Sequence, residues 1–472
     1  RLQDKKLRYF ITRQLYPFSP YYRRLFDKNK IKPDDIRTVE DLKRIPFTSK
    51  ADFLGPPEED IIDRSREFFL RPTEESIKKY LPKAKLIKLL IEGKERLENE
   101  YRPVFLTATA GTTNKPISFI YTGYDIENLK IYGKRIIEIL DIRRDSKVVN
   151  AFPYAPHLAF WQTVFAGLSA NIFMLSTGGG KTLGTEGNIR SILKVKPQFL
   201  IGVPSYIYHI LKIARDRKLD LSFLTRVTLG ASRVPKGFKK KISKLLAQMG
   251  AHDITVLGTY GFTESRCAWV ECPTTIEISS GYHTYPDKEI LEVIDPATGE
   301  VKAEGEDGEI VYTGIDARGS CVLRYRTGDL VKGGITHSPC PHCGRTMPRI
   351  SSDIVRASNI KNVQLSKIKG TLVNLNELEN LLDNIEEIDD WQIEIIKKDN
   401  DPYEVDQLIL YVNLLYDLNK DEFTARLKQE VSLQTEISFN QVKFTSSEEI
   451  QNRIEIETAL KAKKIIDKRP KL

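Results

Sequence analysis

A chain of 472 residues with 40% hydrophobic and 29% charged side chains is longer than one hydrophobic core usually supports, which excludes a single small binding module and sets two or more domains as the expectation. Lys and Arg number 73 against 64 Asp and Glu, a net +9, with much of the excess in GFKKKISK and KAKKIIDKRPKL. Both patches have helical spacing and no nucleic-acid module accompanies them, so they read as solvated surface or as attraction for anionic cofactors, not as a nucleic-acid interface. No run approaches the roughly 20 apolar residues of a membrane span, and RLQDKKLRYF lacks the apolar core of a signal peptide, so a cytoplasmic protein without membrane contact is expected. Five cysteines in this length do not make a disulfide framework and read as metal ligands or reduced core thiols.

The stretch to about Glu100 mixes helical periodicity with Pro-marked turns, as in KIKPDDIRTVEDLKRIPFTSKADF, and predicts a helical covering layer. From Val104 to about Gly230, the apolar runs VVNAFPY, ANIFMLS and PQFLIGV alternate with helical segments, the rhythm of a βαβ layered sheet, so the fold class is α/β. After Cys272, strands with turn punctuation in IEISSGYHTYPDKEILEVIDPATGE and EDGEIVYTG predict a smaller β-rich subdomain. From about Arg356 the order helix (LVNLNELENLLDNI), strands (WQIEIIKK, DQLILYVNLLY), helix (DEFTARLKQEVSLQ) and VKFTS predicts a compact β-α-β-β-α-β unit. The domains expected are therefore 1–355 and 356–472.

Three segments carry candidate chemistry. TATAGTTNKPISFIYT, Thr107 to Thr122, surrounds Gly111 with hydroxyls; Thr109, Thr112 and Thr113 could offer hydroxyl and N–H groups to phosphate oxygens, while a Thr-rich hairpin loop is the alternative. In TYGFTESR the ring of Tyr260, beside Gly261, could lie on a purine, and Glu264, after Thr263, could hold a divalent cation. Asp329, after the Gly turn of LRYRTGDLV, could accept both hydroxyls of a ribose.

The order of these segments, followed by a small C-terminal domain with a basic tail, resembles the adenylate-forming superfamily and within it the phenylacetate–coenzyme A ligases. The resemblance covers nearly the whole chain, from IKPDDIRTVEDLKRIPFTSKADF to ALKAKKIIDKRP. It implies a large adenylation domain and a small mobile lid, with ATP/AMP, Mg²⁺ and coenzyme A as cofactors, and a small carboxylic acid as substrate. It also implies a phosphate loop of Thr109, Gly111, Thr112, Thr113 and Lys115, adenine contacts from Ala231, Ser232 and Tyr260, magnesium on Glu264, ribose on Asp329 and the catalytic Lys at Lys461. Lys461 could instead be one more Lys of a basic tail that includes Lys463 and Lys464. The sequence departs from the family pattern at Asn114, Ser232 and Leu460, and in a hinge with extra residues before Lys369 and Gly370.

Cys340-Pro-His-Cys343 forms a knuckle, and Cys272 with His283 upstream completes the four N/S ligands of a structural Zn²⁺; His337 and His342 compete with His283, and reduced thiols are the alternative. Cys267 and Cys321 read as core thiols. AFPYAPHLAFWQTVFAGL lies where the family places its acid pocket, with Tyr154, His157, Phe160, Trp161 and Phe165 as lining, although aromatics at helical spacing also fit a core. The expected activity is an acid–thiol ligase that makes an acyl adenylate and then a CoA thioester. The rivals are transfer to an acyl carrier protein or another acceptor, and a catalytically inactive nucleotide-binding relative, either as monomer or homodimer.

Overall fold

The computed structural model describes residues 1–54, 67–81, 94–109, 116–363, 371–401, 404–435, 437–457, 459 and 461–469. Its central feature is a parallel array. The strands Lys147–Asn150, Phe173–Ser176, Phe199–Gly202 and Arg226–Leu229 pair in parallel with one another and with the first half of Thr255–Phe262. The helices Leu158–Ala170, Gly180–Val195, Pro204–Asp216 and Lys236–Ala247 provide the crossovers. All four residues of Phe199–Gly202 are buried, the continuous burial expected of a strand covered on both faces. In space the strand Lys147–Asn150 lies between Phe173–Ser176 and Phe199–Gly202, so the winding reverses beside it. Crevices at the carboxyl ends of such a reversal are where open α/β sheets bind ligands.

Thr255–Phe262 runs on past its parallel neighbour and turns antiparallel: Thr255 to Gly258 face Arg226–Leu229, and Thr259 to Phe262 face Cys267–Val270. Tyr282–His283, Arg349–Ile350 and Ile335–Thr336 extend that side to nine strands. A second antiparallel sheet orders Glu289–Ile294, Gly308–Gly314, Tyr325–Val331 and Ile354–Arg356. The expected N-terminal helical layer includes Leu2–Phe10 and Pro20–Lys28, the latter with Pro at its start and capped by the Ser19 hydroxyl, which accepts from the Tyr22 N–H. Leu7, Phe10, Tyr22 and Phe26 are buried in one hydrophobic core with the parallel sheet. The layer is also stitched to the second sheet: the Thr48 hydroxyl donates to the Leu323 carbonyl (2.7 Å), and the Leu323 N–H donates to the Tyr22 hydroxyl (2.7 Å).

A separate core gathers Val373, Leu378, Trp391, Ile393, Leu410, Phe423 and their neighbours. Here the helices Leu375–Asn384 and Lys420–Thr435 pack on a sheet ordered Gln441–Phe444, Asp406–Leu414, Ile388–Lys397 and Ile465–Asp467. Two expectations need correction. Residues Leu372 to Asn374 belong to the strand Thr371–Asn374, because the Asn374 side chain caps the helix and starts it one residue later. The basic tail is not helical: Ile465–Asp467 adds a parallel strand beside Ile393 to Ile395, where its β-branched pair finds a pleated surface. Among the described residues no helix is long and apolar enough to cross a membrane.

Candidate functional site

The reversal point opens into a cavity of about 950 Å³. Three of the parallel strands deliver a wall residue just past the carboxyl end: Phe152 and Pro153 after Lys147–Asn150, Val203 after Phe199–Gly202, and Ala231 after Arg226–Leu229. The turn at Ala231 is tight, with φ of +66°, and a Cβ on the preceding Gly230 would lie 2.0 Å from the Thr259 hydroxyl, so any larger residue there would force the Thr259 side chain aside. Thr259, Gly261, Thr263 and Glu264 continue the wall, the second sheet adds Tyr325 to Gly328, and Arg356, Ala357, Ser358 and Lys461 close it from the C-terminal side.

The two motifs 259–266 and 323–331 interlock. Tyr325 donates its hydroxyl to Glu264 Oε1 (2.7 Å), and Glu264 is buried. Tyr260 donates to Asp329 Oδ2 (2.8 Å), while Arg356 Nε lies 2.9 Å from Asp329 Oδ1. Burial raises the Asp329 carboxyl above its ordinary value, and the Arg356 guanidinium opposes that rise. The Tyr260 ring stacks on Trp269 (centroids 5.5 Å, planes 26° apart); Tyr260 and Asp329 do not line the cavity themselves, whereas their chain neighbours Gly261, Gly328 and Leu330 do. Lys461 lines the cavity with its side chain still exposed to solvent; the nearby walls and the like charge of Arg356 bring its ammonium down to about 8, and Asp329 opposes them.

Of the phosphate-loop residues, Thr109 lines the cavity, and the loop is pinched at its base: the Ile117 N–H donates to the Thr109 hydroxyl (3.0 Å) and the Thr109 N–H to the Ile117 carbonyl (2.9 Å). Gly111, Thr112, Thr113 and Lys115 lie outside the described residues, as do Asn114, Leu460, Lys369 and Gly370. Ser232 is exposed and does not line the cavity. In the expected acid pocket, His157, Leu158, Ala159 and Phe160 line the cavity, with His157 Nδ1 2.8 Å from the Ala108 carbonyl. Trp161 packs away from it, edge-on to Phe105 and donating to the Ala155 carbonyl (3.2 Å), and Tyr154 is 62% exposed. The sequence reading missed Arg356, Arg326 and Lys50; Arg326 stood within LRYRTGDLV, whereas Arg356 is placed only by its register opposite Asp329.

The predicted metal ligands converge. Donor atoms of Cys272, His283, Cys340 and Cys343 all lie within 4.8 Å of one another, with Cys272 Sγ 3.7 Å from Cys340 Sγ and Cys343 Sγ 3.6 Å from His283 Nε2. Bonds of about 2.3 Å in a tetrahedron set donors about 3.8 Å apart, so the cluster fits one ion. Burial, then Arg345 and Arg349, press His283 down to about 4, which keeps the imidazole neutral as ligation requires. His283 is placed by strand pairing with Val270 and Arg349; His337 instead meets Glu304 at 3.4 Å, and His342 is exposed. Cys267 and Cys321 are buried thiols, as expected.

The AMP-binding enzyme family model matches residues 28–319. Phenylacetate–coenzyme A ligases of Thermus thermophilus and Escherichia coli are each 26% identical, the first over 80% of this chain and 76% of its own length, the second over 78% and 75%. In three dimensions the chain is similar to 2-hydroxyisobutyryl-CoA ligase in the postadenylation state in complex with 2-HIB-AMP, at a TM-score of 0.74 and 19% identity, over 99% of this chain and 89% of that one. The same ligase in its thioesterification state, with 2-HIB-AMP and CoA, superposes at 0.60 over 98% and 88%. With a family model spanning more than half its length, and with the two nucleotide-side motifs of that reading joined at one cavity, the chain belongs to the AMP-binding enzyme family.

Proposed function

We propose that the chain is an ATP-dependent carboxylate–CoA ligase. A carboxylate oxygen attacks the α-phosphorus of ATP and the bond to pyrophosphate breaks; the thiolate of CoA then attacks the acyl carbonyl carbon, the thioester forms, and AMP leaves with the bridging oxygen. The observation that carries the reading is the presence of Lys461, from beyond the main core, in one cavity with Glu264 and Thr109. Attack of one anion on another is opposed by charge, and a fixed ammonium beside the entering oxygen stabilises the charge that develops. Its place in the cavity favours catalysis over an inactive nucleotide-binding role.

On this reading Glu264, whose Oε2 takes no hydrogen bond from a described residue, holds Mg²⁺, which when bound neutralises the leaving pyrophosphate. Ala231 and Gly261 of the cavity wall take the adenine side with Ser232 and Tyr260 beside them, Asp329 turns to the ribose hydroxyls by exchanging its bonds to Tyr260 and Arg356 for them, and Thr109 with the rest of its loop takes the phosphates. The acid lies toward His157, Leu158 and Phe160, whose apolar surface suits an aryl or alkyl group. Residues 1–355 bind both substrates, and residues 356–472 act as the lid that brings Lys461. Cys272, His283, Cys340 and Cys343 hold a structural zinc. ATP and CoA as substrates suit a cytoplasmic enzyme.

Pyrophosphate exchange into ATP across a panel of carboxylic acids tests the first half-reaction, and mass detection of the CoA thioester tests the second. Exchange with no acid overturns the ligase reading; exchange without a CoA product, but with loading of an acyl carrier protein, moves the acceptor from CoA to the carrier.

A further inference from the structure

The helix Pro204–Asp216 presents a polar face where a helix in this position would otherwise only cover the sheet. Tyr208 and Lys212 are one helical turn apart, and His209 lies between them on the neighbouring row. All three are buried, and all three meet residues of the C-terminal unit. Lys212 forms an ion pair with Asp389 in which the side chains are 9% and 4% exposed, and its Nζ also donates to the Ser447 hydroxyl (3.3 Å). Tyr208 donates to the other oxygen, Asp389 Oδ1, at 3.0 Å. His209 Nε2 has no hydrogen bond from a described residue and lies 3.6 Å from Glu457 Oε1. The same oxygen accepts from the Thr185 hydroxyl (2.9 Å), which follows a helix break at Gly184 (φ +63°).

We propose that this face is a latch: Lys212 and Tyr208 grip Asp389, Thr185 holds Glu457 with His209 beside it, and the two carboxylates of the C-terminal unit thereby position Lys461 for adenylation. The inference deepens the ligase reading and rests on it. Lys212 follows Leu211 of one hydrophobic core and Asp389 follows Ile388 of the other, so their pair joins the two units and acts on their mutual arrangement. A pair buried between two bodies is also reversible, because separation returns both charges to water instead of stranding one in a core. Glu457 is 58% exposed and adds little affinity, but it precedes Lys461 by four residues and fixes the direction in which that segment enters the cavity. These are positioning residues; none touches the reacting atoms.

The test compares the two half-reactions in Glu457→Gln and Asp389→Asn, with Glu455→Gln, whose partner Lys463 is in the same unit, as the control. Expected is a loss of about tenfold or more in acid-dependent pyrophosphate exchange, with thioester formation from a supplied acyl adenylate and CoA unchanged or faster, and no effect of the control. A second readout needs no activity: spin labels at Lys194→Cys and Gln429→Cys report the separation of the two units, which should be one narrow distance in the parent and should spread in the double latch variant. An unchanged distance distribution overturns the inference, and so does a loss shared equally by both half-reactions. Should the parent exchange no pyrophosphate with any acid, the ligase reading falls and the spin-label distances alone decide the latch.

Discussion

Replacing Lys461 by Ala removes one cation from the cavity wall. Loss of one preorganised charge-stabilising group costs about 10²–10³ in rate, roughly 2.7–4 kcal/mol, and that is the loss expected in pyrophosphate exchange. Thioester formation from a supplied acyl adenylate should stay within about threefold of the parent, because no anion-on-anion attack remains at that step. The ammonium also sets a pH limb. Its pKa is lowered to about 8, so the charged form is complete below that value and is lost as pH rises through it. In kcat/KM, which reports groups of the free enzyme, adenylation should therefore fall above pH 8, by about tenfold per pH unit. Lys461→Arg, whose guanidinium stays charged throughout, should lose that limb even if its absolute rate is low. An alkaline limb unchanged in Lys461→Arg, or equal damage to both half-reactions in Lys461→Ala, would refute the role.

Asp329→Ala should weaken ATP binding by calorimetry, at about 1.5–3 kcal/mol for each charge-assisted hydrogen bond to ribose, and it also releases Tyr260 and Arg356 from their shared acceptor. Unchanged nucleotide affinity would remove Asp329 from the site. Protein purified without chelator should contain about one zinc per chain by elemental analysis, and Cys340→Ser should lower thermal stability far more than Cys321→Ser, because only the first removes a ligand. Gly230→Ala should cost about 1–3 kcal/mol in denaturant unfolding and reduce nucleotide affinity, since the added Cβ meets Thr259 at 2.0 Å in the cavity wall.

Much of the site was legible because it is written in short segments whose function depends on local turns. The segments around Glu264 and Asp329 were each weak signals alone, and the structure shows why their order mattered: Tyr325 bonds Glu264, and Tyr260 bonds Asp329, so each motif completes the other. The metal knuckle was legible from the Cys spacing, but the choice of His283 over His337 depends on a strand register that no local pattern encodes. Composition draws Trp161 and Tyr154 into the pocket, but the helix Leu158–Ala170 turns Phe160 toward the cavity and Trp161 away from it, while Tyr154 lies in the turn before the helix and stays exposed. The Lys spacing of the tail fits a solvated helix face, whereas the pairing that makes Ile465–Asp467 a strand is with Ile393, far away in sequence. Lys212 and Asp389 announced nothing, since a Lys on a helix and an Asp near a strand start become informative only when two separate cores meet.

The stitching of the first residues to the second sheet limits how the chain can be shortened. Thr48 bridges to Tyr325, the residue whose hydroxyl holds Glu264, and Leu7, Phe10 and Phe26 fill the same core as the parallel strands. A chain beginning after Leu54 would bare those apolar surfaces and strip the start of the strand Tyr325–Val331 of the Thr48 backbone that pairs with it. Such a truncation, chosen because the chemistry-bearing motifs all lie downstream, would yield an aggregating protein with a loosened nucleotide wall in place of a minimal enzyme.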